Sequence, residues 1–145
     1  MRHGPAEDDA PSGRDADRSL SAAGRVRVAL VARELVDREE APARVLSSPL
    51  LRAMQTAEIV RDVTGVGQDV ELREELAPSE GAAGLVRELA RTGETSVLLV
   101  SHAPDVSILV QLLTGDRAPG FSAGMVVALE VDGAERATTR FTLDP

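Results

Sequence analysis

The chain reads as an α/β protein, a three-layer α/β/α sandwich around a mostly parallel central sheet, and three observations predict it. Short apolar runs alternate along the chain with longer amphipathic segments, the order that a parallel sheet with crossover helices requires. One run, SVLLV at 96–100, is apolar throughout, as a strand covered on both faces must be. At 145 residues and 43% hydrophobic, the chain can bury one continuous core and not two, so residues 1–145 are expected to form a single domain.

Residues 5–17, PAEDDAPSGRDAD, mix proline, glycine, serine and acids and predict a solvated loop. From Ser21 the pattern turns helical. Val26, Leu30, Val31 and Leu35 recur at helical spacing with Arg25, Arg33 and Glu34 between them, predicting an amphipathic helix over 22–38. ARVLS at 43–47 suits a short buried strand. Ser48 and Pro49 then supply an N-cap and a first helical position, and a second helix continues through Leu50, Met54, Ala57 and 59–63 until the glycines at 65 and 67. Residues 70–76 alternate apolar and polar side chains, predicting a strand, and the loop APSEGAAG leads to a short helix near 84–91. After the central run at 96–100, Pro104 opens a helix through Val106, Leu109, Val110 and Leu113 that Gly115 closes. Residues 125–131 and 137–143 read as two strands of a hairpin turning at Asp132 and Gly133. There is no internal repeat.

Composition narrows the function. The net charge is −8, with 24 acidic against 16 basic residues, which argues against a nucleic-acid partner held through a basic face. Phe121 and Phe141 are the only aromatic residues, so no platform exists for stacking bases. No segment approaches the roughly 18 consecutive apolar residues of a membrane span, and MRHGPAEDD lacks the pattern of a signal peptide. A soluble cytoplasmic protein without a membrane partner is expected. The absence of cysteine suits that reducing compartment. All 16 basic residues are arginine, so abundance says nothing of function and only position can.

In open α/β sheets ligands bind beyond the carboxyl ends of the strands, where loops and helix N-termini converge. Three segments place unusual side chains there. Ser101 and His102 follow the run ending at Val100; Arg52 lies one turn into the helix after ARVLS, near amide groups that favour an anion; Arg2, His3 and Gly4 stand directly before a loop. The only two histidines, His3 and His102, both fall at such places. Such a set favours an anion, and its residue types are compatible with phosphoryl transfer. The migrating group spreads negative charge over its oxygens, so catalysis is mostly positioning plus preorganised positive charge. Arginine forks supply that charge bidentately, and a neutral imidazole can attack phosphorus and hold it covalently. His102 adds either a donor or a second positive charge. The two histidines and scattered aspartates offer no metal-ligand spacing, and no cofactor is implied.

These residues also carry a family resemblance. Arg2-His3-Gly4 resembles the RHG signature of the histidine phosphatase, or phosphoglycerate mutase-like, superfamily. The stretch 48–57, SPLLRAMQTA, resembles its second motif, S-P-x-x-R-A-x-Q-T-A, and Ser101-His102 its strand-end third. Between the first two, DRSLSAAG at 17–24 is similar to the segment that opens the family's first helix. Order and spacing agree along nearly the whole chain, and the compact length is most similar to the SixA-type phosphohistidine phosphatases. The resemblance implies a phosphoglycerate mutase-like fold, His3 as nucleophile, and Arg2, Arg52 and His102 as phosphate-binding residues. Arg18 either approaches the phosphate or caps its helix. The implied activity is metal-independent hydrolysis through a covalent phosphohistidine. The expected partner is a phosphorylated protein carrying phosphohistidine. A small phosphate ester is the alternative substrate, and a non-catalytic phosphate-binding regulatory domain a second alternative.

Two departures stand out. In the family RHG ends a central apolar strand, yet only Met1 precedes Arg2. The first strand therefore reads as truncated, with about five to eight further residues expected upstream from typical strand length. The family's general acid also has no clear counterpart: Glu75 and Glu80 are the candidates, and a solvated loop carboxylate is the plainer reading of each. Gly65 and Gly67 follow a helix and read as a helix stop rather than a dinucleotide loop. Asp15 and Asp17 resemble the start of a calcium loop, but Leu20 and Val26 stand where glycine and glutamate belong, so a solvated turn is expected.

Overall fold

The computed structural model describes residues 1–78, 81–132 and 136–144. In chain order it contains helix α1 (Ala22–Asp37), strand β1 (Arg44–Ser47), helix α2 (Leu51–Thr64), strand β2 (Glu71–Leu72), helix α3 (Ala83–Arg91), strand β3 (Val97–Val100), helix α4 (Asp105–Thr114) and strands β4 (Val126–Val131) and β5 (Ala137–Leu143). Strands β2, β1 and β3 form a parallel sheet in that order, and β4 and β5 pair antiparallel.

Alternation along the strands explains the three layers, because successive side chains leave a strand on opposite faces. Val45, Leu98 and Val100 point to one side, where they pack with Val28, Val31 and Leu35 of α1 and Ala53, Ala57 and Val60 of α2. Leu46, Val97 and Leu99 point to the other, against Leu85 of α3 and Leu109 of α4. Both faces of β1 and β3 are thus covered, as the adjacent apolar residues Val45 and Leu46 and the apolar run Val97–Val100 require.

The helices fall close to their expected spans, with two corrections. On α1, Val26 and Leu30 are each 62% exposed, and the buried stripe is Gly24, Val28, Val31, Ala32 and Leu35. Apolar residues occur all round this helix, so periodicity alone did not choose the face; the close approach of Gly24 to the loop does. A Cβ there would lie 2.0 Å from the carbonyl oxygen of Pro5. On α2, Ser48 and Pro49 lie outside the helix, whose N-cap is Leu50 with no side-chain cap. Ser48 is used otherwise, as described below.

The strand expected over 70–76 shrinks to Glu71–Leu72, followed by a 3-10 turn, Glu74–Leu76. The turn carries Leu76 into the core, where its carbonyl accepts the hydroxyl of Ser101 at 2.7 Å. The hairpin pairs as expected; of its turn, Asp132 is described and Gly133 lies outside the described residues. Met1–His3 form the link between the two sheets. Arg2 bridges Ser101 in parallel, its amide donates to the Met125 carbonyl, and the Gly124 amide donates to that of His3. Among the described residues β3 and β4 are not paired with each other.

Candidate active site

The site is assembled at the carboxyl ends of β1 and β3 and at Met1–His3. His3 is fixed first. Its Nδ1 lies 2.7 Å from the carbonyl oxygen of Gly4, and since a carbonyl only accepts, Nδ1 carries the proton. The lone pair is therefore on Nε2, which accepts from Arg52 Nε at 3.3 Å. Gly4 must be glycine, because a Cβ would sit 2.5 Å from a methyl of Val28. Its amide donates to Thr56 Oγ1 at 3.1 Å, and that hydroxyl donates to the Arg52 carbonyl at 2.7 Å. The backbone behind the imidazole is thus tied to α2.

Arg52 is buried in the first turn of α2, 6% exposed. Its Nη1 donates to the Asp15 carbonyl at 2.8 Å and its Nη2 to the Asp15 carboxylate at 3.0 Å. The same carboxylate accepts from Arg18 Nη1 at 2.9 Å, while Arg18 Nε donates to the Glu7 carbonyl. Arg18, then Arg52, hold the Asp15 carboxyl below its ordinary range. Asp15 and Asp17 thus belong to a turn, and Asp15 is bound to arginines. Arg18 does not cap α1; Ser21 does, accepting from the Gly24 amide.

His102 is 3% exposed and its ring centroid is 5.1 Å from that of His3. Its Nε2 lies 2.8 Å from Ser48 Oγ, which also accepts the Leu50 amide at 3.3 Å. The hydroxyl can donate its proton to Nε2, and in that tautomer the ring proton stands on Nδ1, a buried atom with no hydrogen-bond partner among the described residues. Burial first, then the charges of neighbouring groups, push both imidazoles down from 6.5 to about 4, so both are neutral at pH 7. Of the two roles open to His102, the structure favours a neutral donor. Arg2 donates Nη1 to the Phe121 carbonyl at 2.7 Å, and its charge bears on both imidazoles.

The sequence candidates Arg2, His3, Arg52 and His102 are therefore neighbours, with Arg18 joined through Asp15. Glu75 is committed to Arg73, which holds its carboxyl below the ordinary range and lies 2.7 Å away. Glu80 lies outside the described residues. Asp15, Ser48, Gln55 and Thr56 gain roles that sequence reasoning did not assign; Gln55 accepts the Leu20 amide at 2.7 Å. A signal for three of them was present, since they lie within the second motif. No group of three or more potential metal ligands occurs among the described residues, and none of their helices is long and apolar enough to cross a membrane.

Comparison with known proteins identifies the family. The profile of the histidine phosphatase superfamily (branch 1) matches residues 1–82. Phosphohistidine phosphatase SixA of Escherichia coli K12 is 36% identical, over all of this chain and 91% of that protein. The structure of the protein histidine phosphatase SixA complexed with tungstate superposes with a TM-score of 0.90 at 35% identity, covering 99% of this chain and 93% of the other. A putative SixA from Agrobacterium tumefaciens gives 0.85 at 27% identity, covering 100% and 95%. The chain belongs to the histidine phosphatase superfamily, among hydrolases similar to SixA, and has their α/β fold.

Proposed function

We propose that this chain is a metal-independent phosphohistidine phosphatase that acts on a phosphorylated partner protein through a phosphorylated His3. The observation that carries the reading is the Nε2 lone pair of His3, held by the Gly4 carbonyl behind it and bordered by Arg52 and His102. Nε2 attacks phosphorus opposite the leaving nitrogen. The bond from His3 to phosphorus forms as the substrate P–N bond breaks, and the departing imidazole, protonated on its other nitrogen, leaves neutral. Water then attacks phosphorus, the electron pair of the P–N bond returns to His3, and the protons of the water leave with the phosphate. Arg2, Arg52, Arg18 and the Nδ1 proton of His102 face the charge that develops on the oxygens.

The choice of substrate rests on the relatives named for phosphohistidine and on the state of Glu75. A carboxylate held ionised by Arg73 is a poor proton donor. An imidazole leaving group needs less help than an alkoxide, so such a site suits phosphohistidine better than an ester. The lack of cysteine fits a cytoplasmic setting.

The test is His3→Ala, checked for folding by circular dichroism and assayed in parallel on a phosphohistidine domain and a panel of sugar phosphates. Turnover on the phosphohistidine domain should vanish with folding intact, and brief mixing of the unaltered chain with substrate should label His3 with an acid-labile phosphate. Surviving turnover would remove His3 from the mechanism; faster turnover of a sugar phosphate would reassign the substrate.

A further inference from the structure

Ser48 follows β1 directly and is held on three sides. Its amide donates to the Val100 carbonyl at 3.0 Å, its carbonyl accepts the Ser47 hydroxyl at 2.9 Å, and its own Oγ accepts the Leu50 amide at 3.3 Å. The residue is fully buried, and the fourth contact is to Nε2 of His102 at 2.8 Å. Val100 ends β3 and is followed by Ser101 and His102, so one strand end fixes both partners of that contact.

Distance alone does not say which of the two donates, but the surrounding polar groups do. A hydroxyl has one proton and accepts at two places, and a neutral imidazole has one donor and one acceptor nitrogen. With the ring proton on Nε2, Ser48 Oγ would accept from both Leu50 and His102. Its own proton would then have no acceptor among the described residues, and Nδ1 would be a second buried group without a partner. With the hydroxyl donating to Nε2, the Nδ1 proton alone is left over. Each buried polar group without a partner costs free energy, so the second arrangement wins. What it leaves over is a donor, on a ring whose centroid is 5.1 Å from that of His3 and on which the charges of Arg52 and Arg2 bear. A donor among cations suits an anion.

We propose, resting on the phosphatase reading above, that Ser48 is a positioning residue: by donating to Nε2 it holds His102 in the tautomer that offers its Nδ1 proton to an oxygen of the bound phosphoryl group. Ser48 acts through the ring and not on the phosphate. Without its hydroxyl nothing keeps the proton on Nδ1, and the ring can carry it on Nε2 instead. Nδ1 would then turn a lone pair toward the anion, which repels it.

The experiment is nitrogen NMR of the chain labelled in histidine, with inorganic phosphate as the ligand. His3 and His102 are the only histidines, so His102→Asn assigns the two rings by removing one. At pH 7 the unaltered chain should show His102 protonated on Nδ1 and bare on Nε2. Ser48→Ala should move that ring toward the form protonated on Nε2. It should also raise the Kd for phosphate about five-fold, the factor expected when about one fifth of the molecules keep the competent tautomer. In His102→Asn the side chain has no tautomer to choose, so adding Ser48→Ala there should leave phosphate affinity unchanged. A His102 protonated on Nε2 in the unaltered chain would overturn the proposal, whether or not Ser48→Ala folds. An unchanged tautomer in Ser48→Ala would do the same, and so would an equal loss of phosphate affinity in the His102→Asn background, which would put the role of Ser48 in its bond to Leu50. Inorganic phosphate is common to all phosphatase substrates, so a different substrate for the enzyme would leave these outcomes as they stand.

Discussion

Arg52 donates Nε to Nε2 of His3 across 3.3 Å and turns its two outer nitrogens to Asp15. The guanidinium that borders the nucleophile therefore has Nη1 on a backbone carbonyl and Nη2 on a carboxylate, both of Asp15. Asp15 is joined there by Arg18, so two cations converge on one side chain.

Asp15 is expected to compete with phosphate. Its side chain is 63% exposed, so the pair with Arg52 is worth at most about 1 kcal/mol. Asp15→Asn should tighten inhibition by inorganic phosphate up to about five-fold, with kcat changed less than the inhibition constant. Weaker phosphate inhibition would show instead that Asp15 positions Arg52 for the substrate.

Thr56 joins two motifs with one hydroxyl, accepting from Gly4 and donating to Arg52. It is fully buried, so Thr56→Val leaves the Gly4 amide without its partner in a dry environment, at a cost of about 1–3 kcal/mol. The melting temperature should drop by several degrees, kcat should fall because the backbone beside His3 loosens, and Thr56→Ser should restore both. A stable Thr56→Val protein with full kcat would show that the link does not position His3.

Much of this arrangement was legible in the sequence, and the reason lies in strand ends. Residues directly after apolar runs in an α/β chain must gather at one edge of the sheet, so His102 after β3 and Arg52 after β1 could be placed without coordinates. Local capping was misread where a distant partner intervened. Ser48 looks like an N-cap, but its hydroxyl meets His102, 54 residues on. Asp15 does lie in the exposed turn expected of it, and what the sequence did not show is that Arg52, 37 residues away in the chain, lies beside it in space. The buried face of α1 was hidden for the same reason, since Gly24 is chosen by its contact with Pro5. Glu71–Leu72 is short because Leu76 turns inward, which alternation alone does not encode.

The two imidazoles make stability depend on pH in a defined window. In the unfolded chain both bind protons below about 6.5; in the folded protein burial and neighbouring cations delay this to about 4. Between those limits the unfolded state holds more protons, so stability is full above pH 6.5 and is lost as the pH falls toward 4. Asp15, Glu71 and Glu75, held below their ordinary 3.8 to 4.5, add their loss only further down. The melting temperature should therefore decline from pH 7 to pH 5, and His3→Asn and His102→Asn should each flatten that decline. For the same reason the acid limb of kcat/KM, followed with an acid-stable aryl phosphate, should have its midpoint well below 6.5, because the free protein keeps its nucleophile neutral. A midpoint at 6.5, or an unchanged slope in both variants, would mean that water reaches the histidines freely and that the site is not the dry pocket described above.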